Sequence, residues 1–235
     1  MKNGMLALLI ALLAFPITAG GQGTDRKDRL TLDLYLEWEQ VQDPQISPDG
    51  RQVVYARRWV DKVNDEWKSS LWIMNADGSR NRFLTEGSSP RWSPDGTRIA
   101  FTRDGEPRGN QLFVRWMDAE GATTQITRVE KAPGAVTWAP DGQSIAFTMM
   151  VVQKQDWKIA LPSRPQGAKW TEDPRIVTWL DYRQDGQGFT EEGFRQVFVV
   201  PAGGGTPRQI TDGGWDHSNP RWTPDRTEIL FSSNR

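Results

Sequence analysis

A five-residue motif that returns at fixed spacing constrains this chain more than anything else in it. It reads Ile46-Ser47-Pro48-Asp49-Gly50, Trp92-Ser93-Pro94-Asp95-Gly96, Trp138-Ala139-Pro140-Asp141-Gly142 and Trp222-Thr223-Pro224-Asp225-Arg226. The prolines Pro48, Pro94, Pro140 and Pro224 fall 46, 46 and 84 residues apart. A period in the forties is typical of the four-stranded blades of a β-propeller. In each copy proline presets φ at the first corner, aspartate suits the second, and glycine takes the positive φ that follows, so the motif predicts a hairpin turn. Only the fourth copy departs: Arg226 stands at the glycine position, where a left-handed backbone costs on the order of 1 kcal/mol.

The strands around the turn follow the same register. Val53 and Tyr55, Ile99 and Phe101, Ile145 and Phe147, and Ile229 and Phe231 share one face of a second strand, while Val54, Ala100, Ala146 and Leu230 take the other. Apolar residues on both faces mean a sheet buried between neighbours, with Trp92, Trp138 and Trp222 plugging the seams. A third strand reads Leu71 to Met74, Leu112 to Arg115 and Val197 to Val200. Turns follow at Asp77-Gly78, Glu120-Gly121 and Gly203-Gly204-Gly205, then a short fourth strand at Phe83 to Thr85, Gln125 to Thr127 and Gln209 to Thr211. The fold expected is all-β, a partial propeller of four-stranded antiparallel blades. Residues 21–40 lead in, blades fall near 41–87, 88–132 and 133–213, and an incomplete blade takes 214–235.

The doubled interval contains residues 149–195, and two readings compete for it. One is a degenerate extra blade; the other is an insertion between the second and third strands of the third blade, with Arg175 to Tyr182 pairing back across Asp185-Gly186-Gln187-Gly188. The segment has no Trp-x-Pro-Asp-Gly turn, which favours the insertion.

Composition narrows the function. The 29 Lys+Arg against 30 Asp+Glu give no basic field to hold nucleic acid. Cysteine is absent, which excludes disulfides, thiolate metal sites and a cysteine nucleophile. Lys2, the apolar run Met5 to Phe15 and the small residues Thr18, Ala19 and Gly20 read as a signal peptide over residues 1–20. A membrane anchor is the rival reading, but the run is shorter than the roughly 18 apolar residues of a spanning helix. The expected product is periplasmic or secreted, with no membrane attachment after cleavage.

No catalytic, cofactor or metal residue is expected. Asp49, Asp95, Asp141 and Asp225 belong to separate blades and read as turn formers. His217, the single histidine, lies in Gly213-Gly214-Trp215-Asp216-His217-Ser218-Asn219 and reads as a polar loop residue, since no G-x-S-x-G elbow accompanies it. Gly203 to Gly205 lack the lysine and helix of a phosphate loop. Trp157, Trp170, Trp179 and Arg183 either pack the insertion down or form a peptide-binding edge. Strand alternation puts successive connections on opposite faces of the disc, so Trp157, Trp170, Arg183 and His217 are expected opposite Asp49, Asp95 and Asp141.

The residues also resemble a known group, the propeller of prolyl oligopeptidase family serine peptidases, in its acylaminoacyl-peptidase and dipeptidyl-peptidase-like branch. The resemblance rests on Leu30 to Leu36, Asp43 to Gly50, the Trp-Ser-Pro-Asp-Gly repeats, Gly167-Ala168-Lys169-Trp170, Tyr182 to Phe189 and Ile229 to Arg235. It implies a propeller that covers a C-terminal α/β-hydrolase domain and admits short peptides. The hydrolase domain and its triad have no counterpart in these residues, so the chain reads as truncated before that domain. The partners implied are short peptides or the hydrolase domain. The alternative is a non-enzymatic TolB-like propeller that binds proteins of the cell envelope.

Overall fold

The structure, a computed structural model, describes residues 30–153, 161–171 and 175–235. A one-turn helix, α1 (Leu32–Leu36), leads in, capped by Thr31, whose Oγ1 accepts from Leu34 N. Antiparallel strands follow in four consecutive sheets. The first is β1 (Gln40–Ile46), β2 (Gln52–Asp61), β3 (Glu66–Asn75) and β4 (Arg82–Glu86), hydrogen-bonded in chain order. The second repeats that order with β5 (Ser88–Trp92), β6 (Arg98–Asp104), β7 (Asn110–Trp116) and β8 (Thr123–Gln125).

In the third sheet β9 (Gly134–Trp138) and β10 (Ser144–Val152) are followed by a long excursion, then β13 (Gly193–Pro201) and β14 (Arg208–Gln209). β10 pairs with β13 without interruption from Ser144 opposite Pro201 to Val152 opposite Gly193. The excursion is therefore 153–192 rather than 149–195, because Met149 to Val152 and Gly193 to Arg195 stay in the ladder. Within it the two-residue strands β11 (Arg183–Gln184) and β12 (Gly188–Phe189) form the hairpin. Of the stretch Arg175 to Tyr182, the end pairs back as expected: Tyr182 O accepts from Thr190 N and Asp181 O from Thr190 Oγ1, continuing the hairpin closed by the turn at Gly186, whose φ is +76°. The fourth sheet holds β15 (His217–Trp222) and β16 (Ile229–Ser233).

The repeat turns share one geometry. Gly50, Gly96 and Gly142 have φ of +71°, +70° and +67°, and Arg226 is forced to +67°. Asp49 Oδ1 accepts from Ser47 Oγ and Arg51 N, Asp95 Oδ1 from Ser93 Oγ and Thr97 N, and Asp225 Oδ1 from Thr223 Oγ1 and Thr227 N. Asp141 has alanine in place of the hydroxyl residue and accepts from Gln143 N. The third strands tie into the same end of the disc: Ala76, Met117 and Ala202 donate their N–H to the carbonyls of Arg51, Thr97 and Gln143, at 2.8, 2.9 and 2.8 Å.

Two seams form the core. In the first, Val54, Ala56, Leu71, Ile73 and Leu84 of blade one enclose Ile99, Phe101 and Phe113 of blade two. In the second, Ala100, Leu112, Val114 and Ile126 of blade two enclose Ile145, Phe147, Phe198 and Val200 of blade three. Phe101 stacks on Phe113 at 5.8 Å and Phe147 on Phe198 at 5.7 Å, each a cross-strand pair on the face turned to the preceding blade. Trp92 Nε1 donates to Gln45 O and Trp138 Nε1 to Arg91 O, so each tryptophan is pinned to the inner strand of the blade before it. Trp222 Nε1 is buried and meets no acceptor among the described residues.

Two features of the repeat are absent from the expected strand plan. Each inner strand carries a bulge with a left-handed residue at the same register, Asp43, Ser89, Ala135 and Asn219, with φ between +45° and +54°. The fourth strands stop at Gln125 and Gln209, short of Thr127 and Thr211, because those threonines replace backbone pairing with side-chain bonds. Thr127 Oγ1 accepts from Leu112 N and donates to Gln111 Oε1; Thr211 Oγ1 accepts from Val197 N and donates to Gln196 Oε1.

Candidate interaction face

Because β10 begins beside its Pro-Asp-Gly turn at Ser144 and ends at Val152, the 153–192 excursion leaves from the opposite end of the disc. The β2–β3 and β6–β7 connections leave at that end too, and so does the approach to β15. The excursion and the eight- and seven-residue β8–β9 and β14–β15 connections therefore share one face with these short ones, while the connections on the other face are all five or six residues long. The link between Lys131 and Glu191 fastens the β8–β9 connection to the excursion on this loop face.

A cleft of about 690 Å³ lies under the excursion, lined by Met150, Trp179, Asp181, Phe189, Phe194 and Asp216 among others. Its walls are fixed by local bonds. Thr190 donates from N to Tyr182 O at 2.8 Å, Tyr182 and Phe189 lie 6.3 Å apart, and the Arg175 guanidinium sits 4.2 Å from the Phe189 ring centre. Asp216 Oδ1 accepts from Arg195 N at 2.7 Å and so carries the cleft onto blade four. Of its apolar lining, Phe189 is 53% exposed and Met150, Trp179 and Phe194 are half-buried; Leu180, 96% exposed, and Trp170, 44% exposed, belong to the excursion but not to the lining.

The residues singled out from sequence divide accordingly. Trp179 lines the cleft, and Arg183 sits on its hairpin, 5.9 Å from the Phe189 ring centre. Trp170 is covered on one side by the Arg164 guanidinium at 5.8 Å. Trp157 lies outside the described residues, as does the 1–20 segment. His217 is a correction: it opens β15 and is 1% exposed instead of standing in a polar loop. Its ring meets Phe231 edge-on at 4.9 Å, its Nε2 lies 3.4 Å from Asp212 O, and its Nδ1 has no partner among the described residues. The flanking polar run suggested a loop, but pairing of His217 with Ser233 draws it into the blade. The four turn aspartates stay in separate blades, and the described residues hold no cluster of three or more metal-ligating side chains.

A second groove, of about 590 Å³, follows the inner strands and is lined by Gln45, Arg91, Trp92, Thr137, Trp138 and Arg221 among others. Here Arg91 Nη1 donates to Asp43 Oδ2 at 2.5 Å across the blade boundary. The pair escaped the sequence reading although its signal is visible: the bulge residue of one blade meets the residue two places past the bulge of the next.

Radially successive four-stranded meanders, with first strands innermost and seams packed by repeat residues, define an open β-propeller. The chain belongs to the TolB beta propeller domain family, whose profile matches residues 58–235. It is 30% identical over 208 residues to the Uncharacterized peptidase YuxL of Bacillus subtilis, covering 88% of this chain and 32% of the relative. It is 33% identical over 103 residues to Dipeptidyl-peptidase 5 of Porphyromonas endodontalis, covering 39% of this chain and 15% of the relative. The chain thus spans about a third or less of the length of these curated relatives. Among solved structures, the acylaminoacyl peptidase of Pyrococcus horikoshii superposes with a TM-score of 0.60 at 17% identity, over 84% of this chain and 28% of that one. The resemblance to peptidase propellers seen in the sequence therefore holds at the level of fold and of curated relatives. No helix among the described residues is long and apolar enough to cross a membrane.

Proposed function

We propose that this chain is the propeller portion of an exported serine peptidase and that its loop face covers a hydrolase domain, limiting access to short peptides. The observation that carries the reading is the 690 Å³ cleft under the 153–192 excursion, the longest connection, on the face opposite the Pro-Asp-Gly turns. Surfaces that meet substrate or partner are built from loops held on a rigid scaffold, and the strands here supply the scaffold. The peptidase names of the relatives support the substrate class. The leader-like residues 1–20 support export.

The absence of cysteine makes a clean test available. Gln184→Cys places a thiol on the loop face and Thr97→Cys one on the turn face. Each variant, mixed with the hydrolase domain encoded downstream, is treated with a thiol-to-amine cross-linker. Cross-linking from Gln184→Cys alone, together with cleavage of short peptides but not of folded proteins, is the expected result. Equal cross-linking from both faces, or a downstream frame without a nucleophile elbow, would sink the proposal. The family match to TolB-type propellers supports one other reading, a binding module of the cell envelope, for which more blades without a hydrolase domain are expected downstream.

A further inference from the structure

We propose that the groove along the inner strands binds a carboxylate of a peptide at Arg221, in the manner that Arg91 holds Asp43. The argument starts from the seam between blades one and two, where the bulge residue Asp43 is held twice. Its Oδ1 accepts from Gln45 Nε2 of its own blade at 2.8 Å, and its Oδ2 from Arg91 Nη1 of the next blade at 2.5 Å. A guanidinium and a neutral donor thus grip one carboxylate beside the axis of the disc, and a charge-assisted bond of this kind is among the strongest a protein makes.

The seam between blades three and four repeats the donors without the acceptor. The ladders set Gln45, Arg91, Thr137 and Arg221 at one register, opposite Val54, Ala100, Ala146 and Leu230. Thr137 therefore takes the Gln45 position and Arg221 the Arg91 position, but the bulge residue is Ala135, with φ of +45° against +48° for Asp43. The two arginines share a pose, since Arg91 Nη1 donates to Pro90 O at 2.6 Å and Arg221 Nη1 to Pro220 O at 3.3 Å. Arg91 has a carboxylate as its further partner, whereas Arg221 makes no ion pair among the described residues. The seam between blades two and three has no arginine at this register, because Thr137 stands there against the bulge residue Ser89.

The charge of the groove points the same way. Its lining holds Arg91, already paired, and Arg221, with no aspartate or glutamate among the other lining residues. Arg91 turns to the blade before it even though blade three packs against the other side of blade two. By the same repeat Arg221 is turned to blade three, so the site lies in a seam whose two sides are both described. That the carboxylate belongs to a peptide rests on the function proposed above; the carboxylate chemistry rests on the Asp43 pair.

The test titrates the full chain at fixed ionic strength with three acetylated tripeptides, followed through the indole N–H resonances of the groove residues Trp92 and Trp138. Acetyl-Gly-Gly-Gly carries a terminal carboxylate, acetyl-Gly-Asp-Gly amide a side-chain carboxylate, and acetyl-Gly-Asn-Gly amide neither. Saturable shifts with one or both of the first two and none with the third are expected, and the comparison of the first two identifies the source of the carboxylate. Ala135→Asp should supply an internal partner for Arg221, since aspartate tolerates a left-handed backbone, and should weaken binding at least about tenfold. Arg221→Gln, at an exposed position, should weaken it as much and keeps the test available should Ala135→Asp misfold. Equal binding of all three peptides, or of none, overturns the proposal, and so does either folded variant binding as well as the parent. Binding is read on this chain alone, so a downstream frame without a hydrolase would sink the peptidase reading and leave this result standing.

Discussion

Arg226 of blade four donates from Nη1 to Asp141 Oδ2 of blade three at 3.0 Å, joining two repeat turns across a seam. The arginine reaches that position with φ at +67°, the value glycine takes in the other three copies. Asp141, lacking the hydroxyl partner of its counterparts, is free to accept it.

Replacing Arg226 by glycine should relieve strain of roughly 1 kcal/mol while losing an exposed ion pair of about 0–1 kcal/mol. The Arg226→Gly chain is therefore expected to melt at or above the parent, and Arg226→Ala, which keeps the strain and loses the pair, below it. Thermal unfolding followed by circular dichroism decides the order; a glycine variant melting well below the parent contradicts it.

The tryptophan plugs should not be equal. Trp138→Phe removes the Nε1 donor to Arg91 O in a buried seam, leaving the carbonyl unpaired and a small void, for a loss of about 1–3 kcal/mol. Trp222 makes no such bond, so Trp222→Phe should cost clearly less. Denaturant midpoints of the two variants give the comparison, and equal losses would show that the bond to Arg91 contributes nothing.

Thr127→Val keeps the shape of the side chain but strips the acceptor from Leu112 N and the donor to Gln111 Oε1. Gln111 Oε1 keeps the N–H of Val129, but Leu112 N is left buried without a partner, which should cost about 1–3 kcal/mol. Gln111→Leu combined with Thr127→Val should cost less than the two single losses together, because partners removed jointly leave fewer orphans. A double-mutant cycle by chemical denaturation checks the coupling, and strict additivity would refute it.

Acid should loosen the turns before the rest of the disc. Ser47 Oγ and Arg51 N hold Asp49 below the usual carboxylate range, and Thr223 and Thr227 do the same for Asp225. Gln143 N, followed by Arg226, lowers Asp141. Burial pushes Asp95 up, but the bonds from Ser93 and Thr97 outweigh it and the net direction is down. A carboxyl whose folded pKa is depressed contributes stability that is complete above its unfolded value, about 3.9. That contribution is lost as pH falls through the lower folded value. The melting temperature should thus hold from pH 7 to about 5 and fall below about 4. Ser47→Ala should flatten the acid limb, and an unchanged limb would count against Asp49 as a contributor.

Much of the architecture was determined locally and so was legible in the sequence. Pro-Asp-Gly specifies a turn by its own φ preferences, and strict alternation in Ile99-Ala100-Phe101 and Ile145-Ala146-Phe147 specifies a strand buried on both sides. These are properties of a few adjacent residues, repeated often enough to identify the blade and its period. Other features depended on partners distant in the chain. His217 sits among glycines and polar residues that describe a loop, yet pairing with Ser233 and contact with Phe231 bury it. The Gln111–Thr127 and Gln196–Thr211 bonds span third and fourth strands, so the ends of those strands followed from side-chain pairing that local propensity does not encode. The bounds of the excursion depended on how far β10 and β13 could continue their ladder, a question answered by register across 40 intervening residues, from Val152 to Gly193. The loop face emerged in the same way: alternation predicted which connections share a side, but only packing of Trp179, Phe189 and Asp216 around one space made that side a cleft.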